Sequence, residues 1–338
     1  MEIAHALHQT SVAQAVEGVR RQLLEWADGS DPALLSQARI YNPWFIEEFT
    51  KEALNGLVQM LEPNAVAQWL GQYKVPVSNP KSVGLVLPGN LPLVGFHDVL
   101  CVWASGHKAM VKLSAQDNVL MEALIKVMNE ADWLPGQPRL QAVERLNTAN
   151  AIIATGGDNS TRYFEQYFGN RPHIIRGNRQ SVAILTGNET DAELEGLCRD
   201  VFLYFGMGCR SVSALLVPAN YELAQLYPHI SKWQWLYNQN KYANNVDYHR
   251  AIFLMNLDPF LEMGPLILRE NDSLYSPLGV LNIIRYATDK EVNGWLKVYE
   301  AKLQAIVGAG YLAFGSSQNP GLGNYADRID TMRFLEAL

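Results

Sequence analysis

Four glycine-marked segments hold the residues whose types and spacing are suited to chemistry. One is Phe205-Gly206-Met207-Gly208-Cys209-Arg210-Ser211, which puts a thiol in a turn between an apolar helical stretch and an apolar strand-like run. A thiol exposed among backbone N–H groups has the surroundings a nucleophilic cysteine needs. Another is Leu87-Pro88-Gly89-Asn90-Leu91-Pro92, directly after a short apolar run. Two prolines fix its turn, Gly89 lets the backbone approach a ligand, and Asn90 presents an amide. In Ile153-Ala154-Thr155-Gly156-Gly157-Asp158 a strand runs into glycines ahead of a helix, where a dinucleotide can pass close to backbone N–H groups. The last, residues 106–114, brings Lys112 within reach of ribose or phosphate oxygens. Plainer readings stand beside these: Asn90 as a helix N-cap, Lys112 as a solvated strand end, Cys209 as a structural cysteine. Cys101 and Cys198 fall on apolar helical faces and read as packing residues. His97 and His173 read as packing or hydrogen-bonding groups rather than acids or bases.

Open α/β sheets bind ligands at such strand–helix junctions, so the rest of the chain should supply the sheets. Residues 1–75 read as helices: Val12, Val16, Val19, Leu23 and Leu24 recur at helical spacing, and Pro43 opens a segment carrying Phe45, Phe49, Leu54 and Leu57. After a proline-broken connector at 74–81 the pattern alternates. Strands are predicted at 83–87, 109–113, 140–145 and 151–154, with helices at 93–105, 119–131 and 161–168. It restarts near residue 179, with strands at 181–185, 212–217 and 278–286 and helices at 191–205, 221–235 and 290–303. Polar loops are predicted at 238–247 and 270–276, and a short helix at 330–338. The aromatic cluster Trp233, Trp235, Tyr237 and Tyr242 reads as core or subunit contact rather than a substrate tunnel. Alternating strands and helices predict an α/β fold: two lobes with mostly parallel sheets behind an N-terminal helical segment.

Composition narrows the function. A chain of 338 residues, 48% hydrophobic and 18% charged, is globular and long enough for two domains. Lys plus Arg total 27 against 34 Asp plus Glu, and no basic run stands out, so nucleic acid and anionic membranes are not expected partners. The most apolar stretch, 83–106, contains Pro88, Asn90, Pro92, His97 and Asp98, which a membrane span would not carry together. Three cysteines make no disulfide framework, and neither Cys-x-x-Cys nor His-x-x-x-His occurs, so no metal site is expected. With no targeting segment at its start, the chain reads as a reduced, cytoplasmic protein.

In this order the segments resemble the aldehyde dehydrogenase superfamily, and within it the fatty acyl-CoA reductase branch of bacterial luminescence systems. Pro88-Gly89-Asn90-Leu91-Pro92 matches its Pro-x-Asn-x-Pro segment, and 106–114 is similar to its Gly…Lys-Pro-Ser strand with Leu113 in place of proline. Thr155-Gly156 matches its Thr-Gly segment, and Gly206-Met207-Gly208-Cys209 is similar to its Gly-Gln-x-Cys turn. The glycine-rich stretch from Phe314 resembles a late segment near the superfamily's active site.

The resemblance implies an aldehyde dehydrogenase-like fold of two Rossmann-like lobes. Residues 1–177 would hold the helical segment and the nicotinamide-cofactor domain, 178–310 the catalytic domain, and 311–338 a return segment with a role in oligomerisation. Cys209 would be the nucleophile, with Asn90 and the Cys209 N–H as oxyanion donors. Pro88, Gly89, Lys112, Ser114, Gly156 and Gly157 would bind the cofactor. A homodimer or larger homo-oligomer is implied.

The departures shape the activity. Hydrolytic members keep a glutamate in a segment whose counterpart here is Ile175-Arg176-Gly177-Asn178-Arg179, without a carboxylate. A thioester on Cys209 would then outlast attack by water. A second glutamate, the one that holds the nicotinamide ribose, is replaced near Ser273. Ala115 stands where NAD-preferring members place a carboxylate, so NADP(H) is favoured and NAD(H) admitted. The expected activity is NADPH-dependent reduction of an acyl-CoA to an aldehyde. An acyl-phosphate reductase of the glutamyl-phosphate type and a binding or scaffold protein that has lost the chemistry are the alternatives.

Overall fold

The computed structural model describes residues 2–134, 136 and 138–338, with the side chains of residues 2–7 left out. The chain forms two compact units, one of residues 1–178 and 320–338, the other of residues 179–319.

The first unit opens with four helices: α1 (Glu2–Ala27), α2 (Pro32–Tyr41), α3 (Glu47–Met60) and α4 (Pro63–Leu70). Proline occupies the first turn of α2 and of α4, where its missing N–H has no intrahelical partner to lose. The helix predicted from Pro43 begins instead at Glu47, with Pro43 in the turn before it. Val12, Val16, Val19 and Leu23 are buried along one stripe of α1, as their spacing requires.

The alternating part follows: β1 (Ser82–Val86), α5 (Phe96–Ser105), β2 (Lys108–Lys112), α6 (Asn118–Glu130), β3 (Leu140–Ala142), β4 (Ala151–Thr155), α7 (Asp158–Phe168) and β5 (His173–Arg176). The five strands form one parallel sheet in the order β3-β2-β1-β4-β5. The chain moves outward from β1 to β3 and then returns to the other side of β1 with β4. The crevice beyond the carboxyl ends of β1 and β4 is therefore a topological switch point.

The second unit contains β6 (Gln180–Ile184), α8 (Asp191–Phe202), β7 (Val212–Pro218), α9 (Tyr227–Ile230), α10 (Asn240–Asn256), β8 (Leu261–Met263), β9 (Leu266–Glu270), β10 (Val280–Tyr286), α11 (Asp289–Tyr299) and β11 (Leu303–Gly308). Its sheet runs β11-β6-β7-β10-β9-β8, parallel except for the β8–β9 hairpin. α8 starts with a capping box, Thr190 and Glu193 satisfying each other's backbone N–H.

Away from the cysteine turn, three expectations in this unit are corrected. The loop predicted at 238–247 lies almost wholly in α10, whose polar surface hides a buried stripe of Tyr242, Val246 and Phe253. The helix predicted at 221–235 is a chain of short turns, with only Tyr227–Ile230 α-helical and Pro228 in its first turn. The helix predicted at 290–303 ends at Tyr299, and after a short 3-10 turn its last residue, Leu303, opens strand β11, which pairs with β6.

From Pro320 the chain rejoins the first unit and ends in α12 (Thr331–Glu336). Leu322, Tyr325, Met332 and Leu335 are buried in that unit's core. Tyr325 receives the Trp69 indole N–H at 2.7 Å, and His97 Nε2 lies 3.0 Å from the Leu322 carbonyl oxygen. Among the described residues no helix is long and apolar enough to cross a membrane.

Candidate active site

The topology gathers seven of the eight sequence-predicted site residues along the carboxyl edge of the first sheet. Pro88, Gly89 and Asn90 follow β1, Lys112 ends β2 with Ser114 just beyond it, and Gly156 and Gly157 follow β4. Val86 is in register with both Lys112 and Ala154, so the three strands reach this edge level with one another.

Asn90 does not cap a helix. It is half-buried in the loop after β1, and α5 begins six residues later, with Gly95 as its cap. That loop is braced by the segment after β2. A Cβ at Gly89 would come within 2.6 Å of the Ser114 Cβ, so only glycine allows the approach. Leu93 holds a left-handed conformation (φ 55°) and donates its N–H to Asp117 Oδ2 at 2.7 Å. Asp117 is buried, and loss of solvation pushes its carboxyl up to about 8 against the opposing pull of the Leu93 hydrogen bond. Among the described residues its other oxygen has no hydrogen-bond partner. Sequence patterning missed Asp117, because nothing in its spacing separates it from a solvated loop residue.

Gly156 lies so close to α7 that a Cβ would meet Ser160 and Phe164 at 2.9 Å. Gly157 caps α7 with extended backbone and no side-chain capping bond, and among the described residues only the Asn178 amide comes near, at 3.8 Å from a Cβ placed there. This edge therefore has the open backbone that a dinucleotide requires. Lys112 is exposed and, with Leu113, Glu122, Ala142, Val143 and Glu144, lines an open cleft of about 480 Å³. Glu122 comes from α6 and Glu144 from the loop after β3, which no local motif around Lys112 could reveal.

Cys209 lies in the second unit, in the turn before β7, and is exposed, while Cys101 and Cys198 are buried. Burial pushes the Cys101 thiol well up and the Cys198 thiol to about 12, which keeps both protonated and unreactive. The helix predicted to run to residue 205 ends at Phe202, because the next residues turn left-handed: Tyr204 (φ 54°), Phe205 (φ 58°) and Gly206 (φ 74°). Such a conformation in a bulky residue costs on the order of 1–3 kcal/mol and tends to cluster at functional sites. Packing enforces it here, since Phe205 is buried against Tyr242 at 5.6 Å between ring centres.

The cysteine turn is clamped. Ser181 donates its hydroxyl to the Cys209 carbonyl oxygen at 2.9 Å. Gly208 donates its N–H to Ser211 Oγ at 3.2 Å, and the Ser211 N–H returns to the Gly208 carbonyl oxygen at 3.0 Å. Burial draws the Arg210 guanidinium below its usual value, against the attraction of the neighbouring Cys209. Among the described residues no three or more His, Cys, Asp and Glu side chains are grouped so as to hold a metal ion.

The segment 175–179 contains no catalytic carboxylate. Ile175 and Arg176 complete β5, and the buried Arg176 pairs with Asp98 at 2.6 Å and donates to Thr331 Oγ1 at 2.9 Å. His97 packs against Tyr325 with the rings tilted and their centres 5.2 Å apart, and His173 Nδ1 lies 2.7 Å from the Arg171 carbonyl oxygen.

No protein-family model and no curated protein matches the sequence. Solved structures do match the fold. Aldehyde dehydrogenase 21 from Physcomitrella patens, in complex with the reaction product succinate, superposes with a TM-score of 0.65 at 13% identity, over 90% of this chain and 75% of that one. An NADP dependent enzyme from E. coli gives 0.63 at 12% identity, over 90% and 73%. A Mycobacterium tuberculosis aldehyde dehydrogenase complexed with NAD+ gives 0.60 at 14%, over 85% and 70%. The fold is that of the aldehyde dehydrogenases. The aldehyde dehydrogenase fold accounts for the N-terminal helices and for both mostly parallel sheets, as the sequence predicts.

Proposed function

We propose that this chain is an NAD(P)H-dependent oxidoreductase that reduces an acyl-CoA thioester to an aldehyde through an acyl-cysteine on Cys209. The observation that carries the reading is the exposed Cys209 in a clamped turn behind a run of left-handed residues, on an aldehyde dehydrogenase fold. Arg210 interacts electrostatically with the neighbouring Cys209, and in this reading it is the cation that activates the thiol. The thiolate attacks the acyl carbonyl, a C–S bond forms, and coenzyme A leaves as its thiolate and takes up a proton. Asn90 and the Cys209 N–H are the oxyanion donors in this reading, each worth on the order of 3 kcal/mol of transition-state stabilisation.

Lys112 and Ser114 would hold the adenine-side ribose, with Pro88, Gly89, Gly156 and Gly157 forming the backbone surface beneath the dinucleotide. When bound, that group supplies a hydride to the acyl carbon. The hemithioacetal on Cys209 then collapses to aldehyde and thiolate. Ala115 lifts one source of repulsion from a 2′-phosphate, which favours NADP(H), while Glu122 and Glu144 in the Lys112 cleft keep NAD(H) admissible. The thioester persists because β5 ends in an ion-paired arginine rather than in a carboxylate able to activate water.

The test is direct: the wild-type protein with an acyl-CoA and NADPH should yield aldehyde and coenzyme A, and Cys209→Ser should yield neither. Turnover by Cys209→Ser equal to wild type overturns the mechanism. Turnover with acyl phosphates but not with coenzyme A thioesters moves the assignment to an acyl-phosphate reductase. A homodimer or larger homo-oligomer in the cytoplasm remains part of the proposal, its assembly checked by the mass of the protein in solution.

A further inference from the structure

We propose that Gln318 is a positioning residue for Cys209 and acts through the hydroxyl of Ser211. The inference rests on reading Cys209 as the nucleophile. Gln318 Nε2 donates to Ser211 Oγ at 3.0 Å, the same oxygen that receives the Gly208 N–H at 3.2 Å. Ser211 is buried and closes the four-residue turn in which Cys209 is the second residue. Two donors directed at one hydroxyl oxygen leave it little rotational freedom, so Gln318 fixes the group that fixes the turn.

The segment carrying Gln318 is itself anchored. Asp200, fully buried on α8, accepts hydrogen bonds from the Gly315 N–H (2.7 Å), the Ser317 N–H (3.0 Å) and the Ser317 hydroxyl (2.7 Å). Gly196, one turn earlier on α8, makes room for this approach: a Cβ there would lie 2.7 Å from the Phe314 carbonyl atoms. Gly315, at φ 86°, turns the chain beneath Asp200. Gln318 thus extends from a fixed backbone, and its amide braces the cysteine turn from outside. Ser181, holding the Cys209 carbonyl oxygen, is a second brace on the same turn.

Without Gln318, the Ser211 hydroxyl can rotate away from Gly208 and the peptide units flanking Cys209 lose their alignment. Attack on a carbonyl needs the sulfur and the oxyanion donors aligned together, whereas displacement at a saturated carbon needs the sulfur alone. The two reactions of one thiol therefore separate alignment from simple reactivity.

The experiment measures the acylation burst with p-nitrophenyl acetate and the alkylation rate with iodoacetamide, in the full chain. Gln318→Met should slow acylation roughly 3- to 10-fold, the factor that one hydrogen bond ordinarily carries, and leave alkylation within about twofold. Ser211→Ala should slow acylation similarly, and adding Gln318→Met to it should slow acylation no further. Gln318→Asn, a shorter side chain with the same donor, should fall between wild type and Gln318→Met, and it serves if the methionine variant does not fold. Equal losses in both reactions, independent effects in the double variant, or an unchanged burst overturn the inference. A burst that is absent in wild type or survives Cys209→Ser overturns the reading of Cys209 as well. A Cys209-dependent burst indifferent to Gln318 overturns only the positioning role.

Discussion

Replacing Gly89 by alanine puts one methyl group where the first unit has no room for it. The new Cβ would lie 2.6 Å from the Ser114 Cβ and 3.2 Å from the Asp117 backbone nitrogen. Carbon atoms rest at about 3.5–4.0 Å, so close to 1 Å must come from movement. Neither neighbour yields readily: the Ser114 Cβ is bonded directly to its backbone, and the buried Asp117 is tied to Leu93. Overpacking of this kind costs about 1–3 kcal/mol. If the loop after β1 absorbs the strain and the dinucleotide lies on that loop, NADPH affinity should fall roughly 5- to 150-fold, at about 1.4 kcal/mol per decade. Ser114→Gly removes the side chain that the new methyl group meets but also a ribose contact, so the double variant Gly89→Ala/Ser114→Gly should recover most of the lost thermal stability while its NADPH affinity matches that of Ser114→Gly alone. Titration of NADPH and NADH by calorimetry, with thermal midpoints alongside, reads both effects. Wild-type affinity in Gly89→Ala, or a double variant no more stable than Gly89→Ala, refutes the reasoning.

The buried Asp117 makes stability depend on pH. Its folded value of about 8 lies above the roughly 4 of an unfolded aspartate, so the folded state keeps a proton that the unfolded chain has lost. Stability should therefore decline as pH rises from about 4 to about 8 and level off above that. The thermal midpoint of Asp117→Asn should gain steadily on wild type between pH 5 and 8, and a constant difference would contradict this. Asp98→Ala leaves the buried Arg176 guanidinium without its counter-charge and should cost about 3–5 kcal/mol by urea unfolding. A loss under 1 kcal/mol would show that the pair is unimportant. Gly206→Ala places a side chain at φ 74° with its Cβ 3.1 Å from the Val201 carbonyl oxygen. It should cost roughly 1–2 kcal/mol and slow acylation of Cys209, and unchanged acylation would free the reactive turn from any need for the left-handed run.

The edge of the first sheet was legible because two of its three contributing loops, those after β1 and β4, announce themselves. A short apolar run ends, and proline or glycine follows at once, as in Leu87-Pro88-Gly89 and Thr155-Gly156-Gly157. Parallel strands joined by crossovers place all such loops on one edge, so correct alternation already brings them together. The braces were not legible. Asp117, Ser211 and Gln318 are polar residues in loops, and their partners are set by tertiary approach rather than by spacing. Tyr204 and Phe205 hid for the opposite reason, since aromatic residues seldom adopt left-handed backbone and the pattern ran the helix through them. In α10, Asn240, Asn244 and Asn245 read as loop residues, while the buried stripe beneath them was too sparse to outweigh that.

The central claim is a covalent acyl group on Cys209. Intact-mass spectrometry of the protein mixed with an acyl-CoA in the absence of reduced cofactor tests it most directly. The account predicts one added acyl group per chain, on the peptide containing Cys209, with stoichiometric release of coenzyme A and loss of the adduct on adding NADPH. An unmodified protein, or an adduct that persists in Cys209→Ser, would contradict it.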